Sequence, residues 1–257
     1  MGIFDFFRRK PADPPPPPAL APSPASDQTD DQAAIDAAFA ELEALRRTPM
    51  LAQIGGFQPP DDPRTSWFGR GVGLPGEGLP EREGKPLFPL LQINVAELPS
   101  VPPEFAGTAL LVVFLDIDDI PFDQPHGEGW LIREYASLDG LEPLPAYPGR
   151  NAPRAFPVRW ELGEPEGPGW DDAVDLVDLG AVDDDPEASD EFFDRFKNSP
   201  RTKVGGYPHD IQHAVGLDGY VFQIGSEDKP RWNLVDGGVA YFFKTADGEW
   251  RWDCQFY

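Results

Sequence analysis

Residues 249–257 read EWRWDCQFY, and the alternation in this stretch decides the fold class. Trp250, Trp252, Cys254 and Phe256 interleave with Arg251, Asp253 and Gln255. A period of two places the apolar set on one face of a β-strand and the polar set on the other. Working outward, four more short apolar stretches are bounded by Gly and Pro: Leu87–Val95, Thr108–Asp116, Tyr220–Ile224 and Val239–Thr245. All four have strand composition. One helix is expected over residues 30–47, where Ile35, Phe39, Leu42 and Leu45 share a face and Pro49 ends the run. Short helices are expected around Ser189–Lys197 and Pro208–Val215, and one more strand at Ala173–Leu179. A doubly wound α/β fold needs long helices between its strands, and none are evident. The expected class is therefore α+β and β-dominated, with mostly antiparallel sheets, few short helices and one N-terminal helix.

Two segments of the chain resemble each other. Ser66–Pro75, SWFGRGVGLP, precedes a strand carrying Leu90-Leu91-Gln92-Ile93, and Thr202–Pro208, TKVGGYP, precedes one carrying Val221-Phe222-Gln223-Ile224. Each is a Gly-rich turn, a proline and a strand with Gln-Ile, the pattern of a pseudo-twofold internal duplication.

These same residues resemble the YwqG-like family, bacterial proteins described as a domain of unknown function (domain family 1963). Three blocks carry the likeness: Ser66–Pro99 with Gly84-Lys85-Pro86-Leu87 and the strand after it; Lys203–Pro208 with Ile211-Gln212; and Val221–Ile224 with Trp232, Asp236-Gly237-Gly238 and Val239–Phe243. Together they span roughly residues 49–257. The resemblance implies a soluble β-dominated domain and no transferable catalytic residues. It also implies an occurrence of some members beside secreted-toxin systems, hence an immunity or antagonist role.

Composition excludes several classes. The 257 residues hold 21 Lys+Arg against 45 Asp+Glu, a formal net charge of −24. A field of that sign repels phosphate backbones, so no nucleic-acid partner is expected. One cysteine excludes a disulfide framework. The longest apolar run, Ala109–Leu115, cannot span a bilayer, so no transmembrane segment and a cytoplasmic location are expected. Prolines concentrate in Pro11–Pro24, and residues 11–29 are expected to be a disordered Pro-rich spacer, with 30–257 a single domain. Before the spacer stands Met1–Lys10, MGIFDFFRRK, either a short adhesive peptide docking weakly on a partner or membrane, or a frayed terminus.

Candidate sites follow from residue chemistry. Lys203, Tyr207, His209 and Asp236 are the first ligand-binding candidates, with Lys203, Tyr207 and the Gly205-Gly206 amides forming an anion-receptive turn. His209 and His213 would share a helix face as zinc ligands do, but the HExxH glutamate is missing, so no metal is expected there. Asp116, Asp118 and Asp119 close a strand without the order of a calcium loop. The GxGxG of Gly69, Gly71 and Gly73 lacks a following helix and reads as tight turns, and Cys254 reads as a packed thiol. No catalytic constellation and no cofactor site emerges. Asp171–Asp194 holds eleven acids and no Lys or Arg before Arg195. Asp171, Asp172, Asp175, Asp178, Asp183, Asp184 and Asp185 are its candidate partner-binding face, steering a protein with a basic surface. Two functions are thereby open: a non-enzymatic protein-interaction module, antagonising a basic toxin-like partner, or a small-ligand binder or enzyme with its pocket between the two repeat halves.

Overall fold

The computed structural model describes residues 25–150 and 152–257. The expected adhesive peptide, residues 1–10, and residues 11–24 of the expected spacer lie outside them. Ten strands form one antiparallel sheet: β1 (Met50–Ile54), β2 (Trp67–Phe68), β3 (Phe88–Asn94), β4 (Leu110–Leu115), β5 (Trp130–Tyr135), β6 (Phe156–Leu162), β7 (Lys203–Val204), β8 (Tyr220–Gly225), β9 (Val239–Lys244) and β10 (Trp250–Gln255). Four helices complete the frame: α1 (Ala25–Ala44), α2 (Trp170–Ala173), α3 (Gly180–Asp184) and α4 (Pro186–Arg195). The class is thus α+β, dominated by antiparallel sheet, with few short helices and one at the N-terminal side.

The order across the sheet is β10-β9-β8-β7-β1-β6-β2-β3-β4-β5. It is a palindrome of two five-strand halves, β1–β5 and β6–β10, whose lead strands are exchanged. β1 pairs with β7 of the other half, and β6 pairs with β2. At the centre, β1 and β6 run antiparallel in the register Met50↔Leu162 to Ile54↔Val158. The inner faces of both halves share one core, in which Phe105, Phe222, Phe242 and Trp250 pack with Trp130. On the outer faces, Val112 and Phe114 of one half lie beneath Val72 and Leu141, and Tyr241 and Phe243 of the other beneath Ile211 and Val215.

The Gln-Ile repeat has one structural meaning in both halves. Gln92 Oε1 accepts the Val72 N–H at 2.8 Å, and its Nε2 donates to Pro63 O and Thr65 O at 2.9 and 2.5 Å. Gln223 Oε1 accepts the His209 N–H at 3.0 Å, and its Nε2 donates to Ser199 O and Arg201 O, each at 3.0 Å. Both amides are fully buried, and each ties its strand to the turn before and after the short neighbour strand. A buried carboxamide can satisfy three backbone groups that no sheet ladder reaches, which is why both turns hold their shape without solvent.

Three expectations are corrected. First, α1 starts at Ala25, so residues 25–29 belong to the helix and not to the spacer, and it ends at Ala44 rather than at 47. Pro24 is the last residue of the tract that opposes helical backbone. Second, Ala173–Leu179 is not a strand: it holds the last residue of α2 and the turn that leads to α3 at Gly180. Ala173 and Val177 lie one helical turn apart and, with Val182, Phe192 and Phe196, form a second core against Ile35, Phe39 and Leu42 of α1. Third, Pro208–Val215 is an irregular loop rather than a helix. Its N–H groups go to side chains: Ile211 and Gln212 donate to Gln255 Oε1 at 2.8 and 3.0 Å, and Val215 to Asp210 Oδ1 at 3.1 Å. Competing side-chain acceptors displace the helical bonds. Gln255, on the polar face of the strand as expected, is therefore buried beneath this loop, whereas Trp252 and Cys254 on the apolar face are only half-buried.

Candidate functional site

The structure places Lys203 on β7 and Tyr207 and His209 on the loop that follows it, and the anion held there is the chain's own Glu166. Lys203 Nζ lies 2.8 and 2.7 Å from the two Glu166 oxygens, and Ser199 and Tyr207 donate their N–H groups to the same carboxylate at 2.8 and 3.1 Å. Gly206, at φ +71°, leaves no room for a Cβ beside Glu166 Oε2. Burial draws the Lys203 ammonium down to about 8, while Glu166 pulls it back upward. Tyr207 donates its hydroxyl to Leu45 O at 2.7 Å beneath the Arg47 guanidinium. His209 Nδ1 meets Asn198 O at 2.9 Å, and burial holds the ring below its ordinary pKa. Asp236 is exposed and joins this group only through Tyr257, whose N–H it accepts at its carbonyl. Glu166 and Gln255 are organising residues that motif reasoning missed, and no local pattern marks them; Gln223 is marked by the paired Gln-Ile, though not as the residue that holds this loop.

The other candidates separate. Asp116 accepts the N–H groups of Asp118 and Asp119 and faces Arg82 at 3.5 Å, the bonding of a capped turn. His213 lies four residues beyond His209, but the helix that would align them is absent. Among the described residues no group of three or more His, Cys, Asp or Glu is placed to hold a metal ion. Cys254 is free, and burial with the neighbouring Asp253 and Asp123 charges pushes its thiol up to about 12, unfavourable for a thiolate nucleophile.

Two concavities matter. One, of about 830 Å³, lies between the sheet-edge strands β5 and β10, at the junction of the two halves, and is lined by His126, Trp130, Glu134, Trp250 and Trp252. None of Lys203, Tyr207, His209 or Asp236 reaches it. Its carboxylate is engaged: Glu134 accepts from Lys244, Trp250 and Thr108 at 2.8, 3.1 and 2.9 Å. The second, of about 460 Å³, lies where α2 and α4 meet the 209–213 loop, and Trp170, Asp171, Phe193, Asp210 and His213 line it. Trp170 and Phe193 stack at 5.4 Å, and burial drives the Asp210 carboxyl up to about 6.

The acidic segment forms the outer surface of the helical layer. Asp171, Asp175, Asp178, Asp183 and Asp184 are exposed. Asp185 caps α4 by accepting the Glu187 and Ala188 N–H groups at 2.8 and 3.0 Å, and Asp178 accepts from Gly180. Asp172 is buried, which raises its pKa and turns it away from any partner role that needs access. Val174 and Leu176 between these acids, and Phe193 on α4, stand about half-exposed.

Sheet, helical layer and site together define an α+β protein of two fused half-repeats, with no assembled metal or disulfide chemistry among its described residues. The chain belongs to the family described as Domain of unknown function (DUF1963), whose model matches residues 69–247, well over half of it. No curated protein matches it. No helix among the described residues is long and apolar enough to cross a membrane.

Proposed function

We propose that this protein is a non-enzymatic interaction module whose helical layer binds a protein with a basic surface, antagonising that partner. One observation carries the reading: the exposed carboxylates of α2, α3 and the turn joining them are interspersed in sequence with the exposed apolar side chains Val174 and Leu176, and Phe193 of α4 is exposed in the same helical layer. A solvated acidic face has no need of apolar side chains among its charges. Interfaces combine an apolar centre with a charged rim that steers encounter.

The test is capture from the native host by the full chain and by a variant carrying Asp171→Asn, Asp175→Asn, Asp183→Asn and Asp184→Asn. The proposal expects one basic protein, retained at low salt, weakened at about 200 mM, where screening shortens to less than 10 Å, and lost with the variant. Capture indifferent to both salt and neutralisation rejects it.

A further inference from the structure

We propose that the pocket between α2, α4 and the 209–213 loop is a receptor for one arginine side chain of the partner. The proposal rests on the reading of the acidic face and names the chemistry at its centre. Its first support is the way this protein covers several aromatic rings outside its main core. Guanidinium groups cover Phe196 (Arg46, 4.8 Å), Phe39 (Arg195, 4.9 Å), Tyr207 (Arg47, 4.5 Å) and Phe57 (Arg159, 4.4 Å). Trp170 and Phe193 belong to the same aromatic cluster as Phe196, through Phe192. Among the described residues no guanidinium covers that stacked pair, and Phe193 is 55% exposed. An exposed aromatic stack beside carboxylates attracts a cation through the ring quadrupole.

The second support is charge. Asp171 and Asp210 both line the pocket, and among the described residues neither forms an ion pair. Lys197, the one ammonium on the rim, is held by Asp194 at 2.7 Å. Asp210 spends Oδ1 on the Val215 N–H, and a Cβ on Gly169 would lie 2.7 Å from its Oδ2. The missing side chain at Gly169 therefore keeps space beside that oxygen. A planar guanidinium can stack on the aromatic pair and present an edge to a carboxylate at once, which a spherical ammonium cannot.

The experiment is a titration of the full isotope-labelled chain with N-acetyl-arginine methylamide, followed by NMR. N-acetyl-citrulline methylamide, equal in shape but uncharged, is the control. Saturable shifts are expected at the Trp170 indole and the amides of Asp171, Phe193 and residues 210–213, with arginine only. Phe193→Ala and Gly169→Val should each weaken binding about fivefold or more. Phe193 is exposed, and Gly169 has φ −62°, open to any residue, so its valine has to displace only the end of the Asp210 side chain and no backbone; it closes the pocket without changing a charge. Equal shifts with citrulline, or non-saturating shifts spread along α2 and α3 and unchanged in Gly169→Val, overturn the proposal. Tighter binding after Arg8→Ala with Arg9→Ala would mean that the chain's own tail fills the pocket, and would overturn the assignment to a partner. A pocket blind to arginine, with capture still abolished by the four Asp→Asn changes, would remove the receptor and leave the acidic face standing.

Discussion

Replacing Lys203 by Met separates a structural role for this residue from a ligand-binding one. In the native protein Lys203 is fully buried and Glu166 is 3% exposed, so the substitution strands a carboxylate away from water. Removing one partner of a buried pair costs roughly 3–5 kcal/mol. Glu166 retains the Ser199 and Tyr207 N–H donors, which offset part of that, so the lower end, about 3 kcal/mol, is expected near pH 8. The stranded carboxylate is relieved when it takes up a proton that the unfolded chain does not hold. More protons bound in the folded state mean that stability falls as pH rises, so the deficit should be smaller at pH 5 than at pH 8. Urea unfolding at both pH values measures it. The midpoint should drop by about 1 M with the slope unchanged. A loss under about 1 kcal/mol at both pH values, outside the range for breaking a buried pair, would refute the reasoning and return Lys203 to the pool of ligand-binding residues.

Two further outcomes are expected. Gln92→Leu and Gln223→Leu each strand three backbone groups and should each cost about 2–3 kcal/mol in urea unfolding; a large loss from one and none from the other would contradict the equivalence of the halves. Asp210, with its carboxyl raised from 3.8 to about 6, binds more protons folded than unfolded, so its contribution to stability is present below pH 4 and lost as pH rises through 6. Allowing for its partial exposure, Asp210→Asn should gain about 1–2 kcal/mol relative to the native chain between pH 4 and pH 7; identical pH profiles would remove Asp210 from the buried set.

The strands were legible because their signal is local. Residues 249–257 alternate at a period of two, and Leu110–Leu115 is apolar throughout because both of its faces are covered. In the helical layer α1 and α4 were legible, the latter from Ser189–Lys197, but α2 and α3 were not: Ala173, Val177 and Val182 have too few apolar neighbours to establish a period, and α1 supplies the other side of the core they pack into. Pro208–Val215 failed for the opposite reason, since helix-compatible residues were overruled by acceptors on Gln255 and Asp210, one of them more than forty positions away in sequence. At the candidate site, the acids were visible in composition, while the stacking of Trp170 on Phe193 and the occupation of the Lys203 turn by Glu166 depend on long-range contacts. The duplication was visible as a repeated Gln-Ile, but not the exchange of the lead strands β1 and β6.

Amide hydrogen exchange on the full chain, with and without the basic partner it captures, tests the central claim most directly. The account predicts slowed exchange in residues 170–176 and 190–197 and in the 209–213 loop, with no change along Trp250–Gln255. Protection confined to β5 and β10, with the helical layer exchanging as in the free protein, would contradict it.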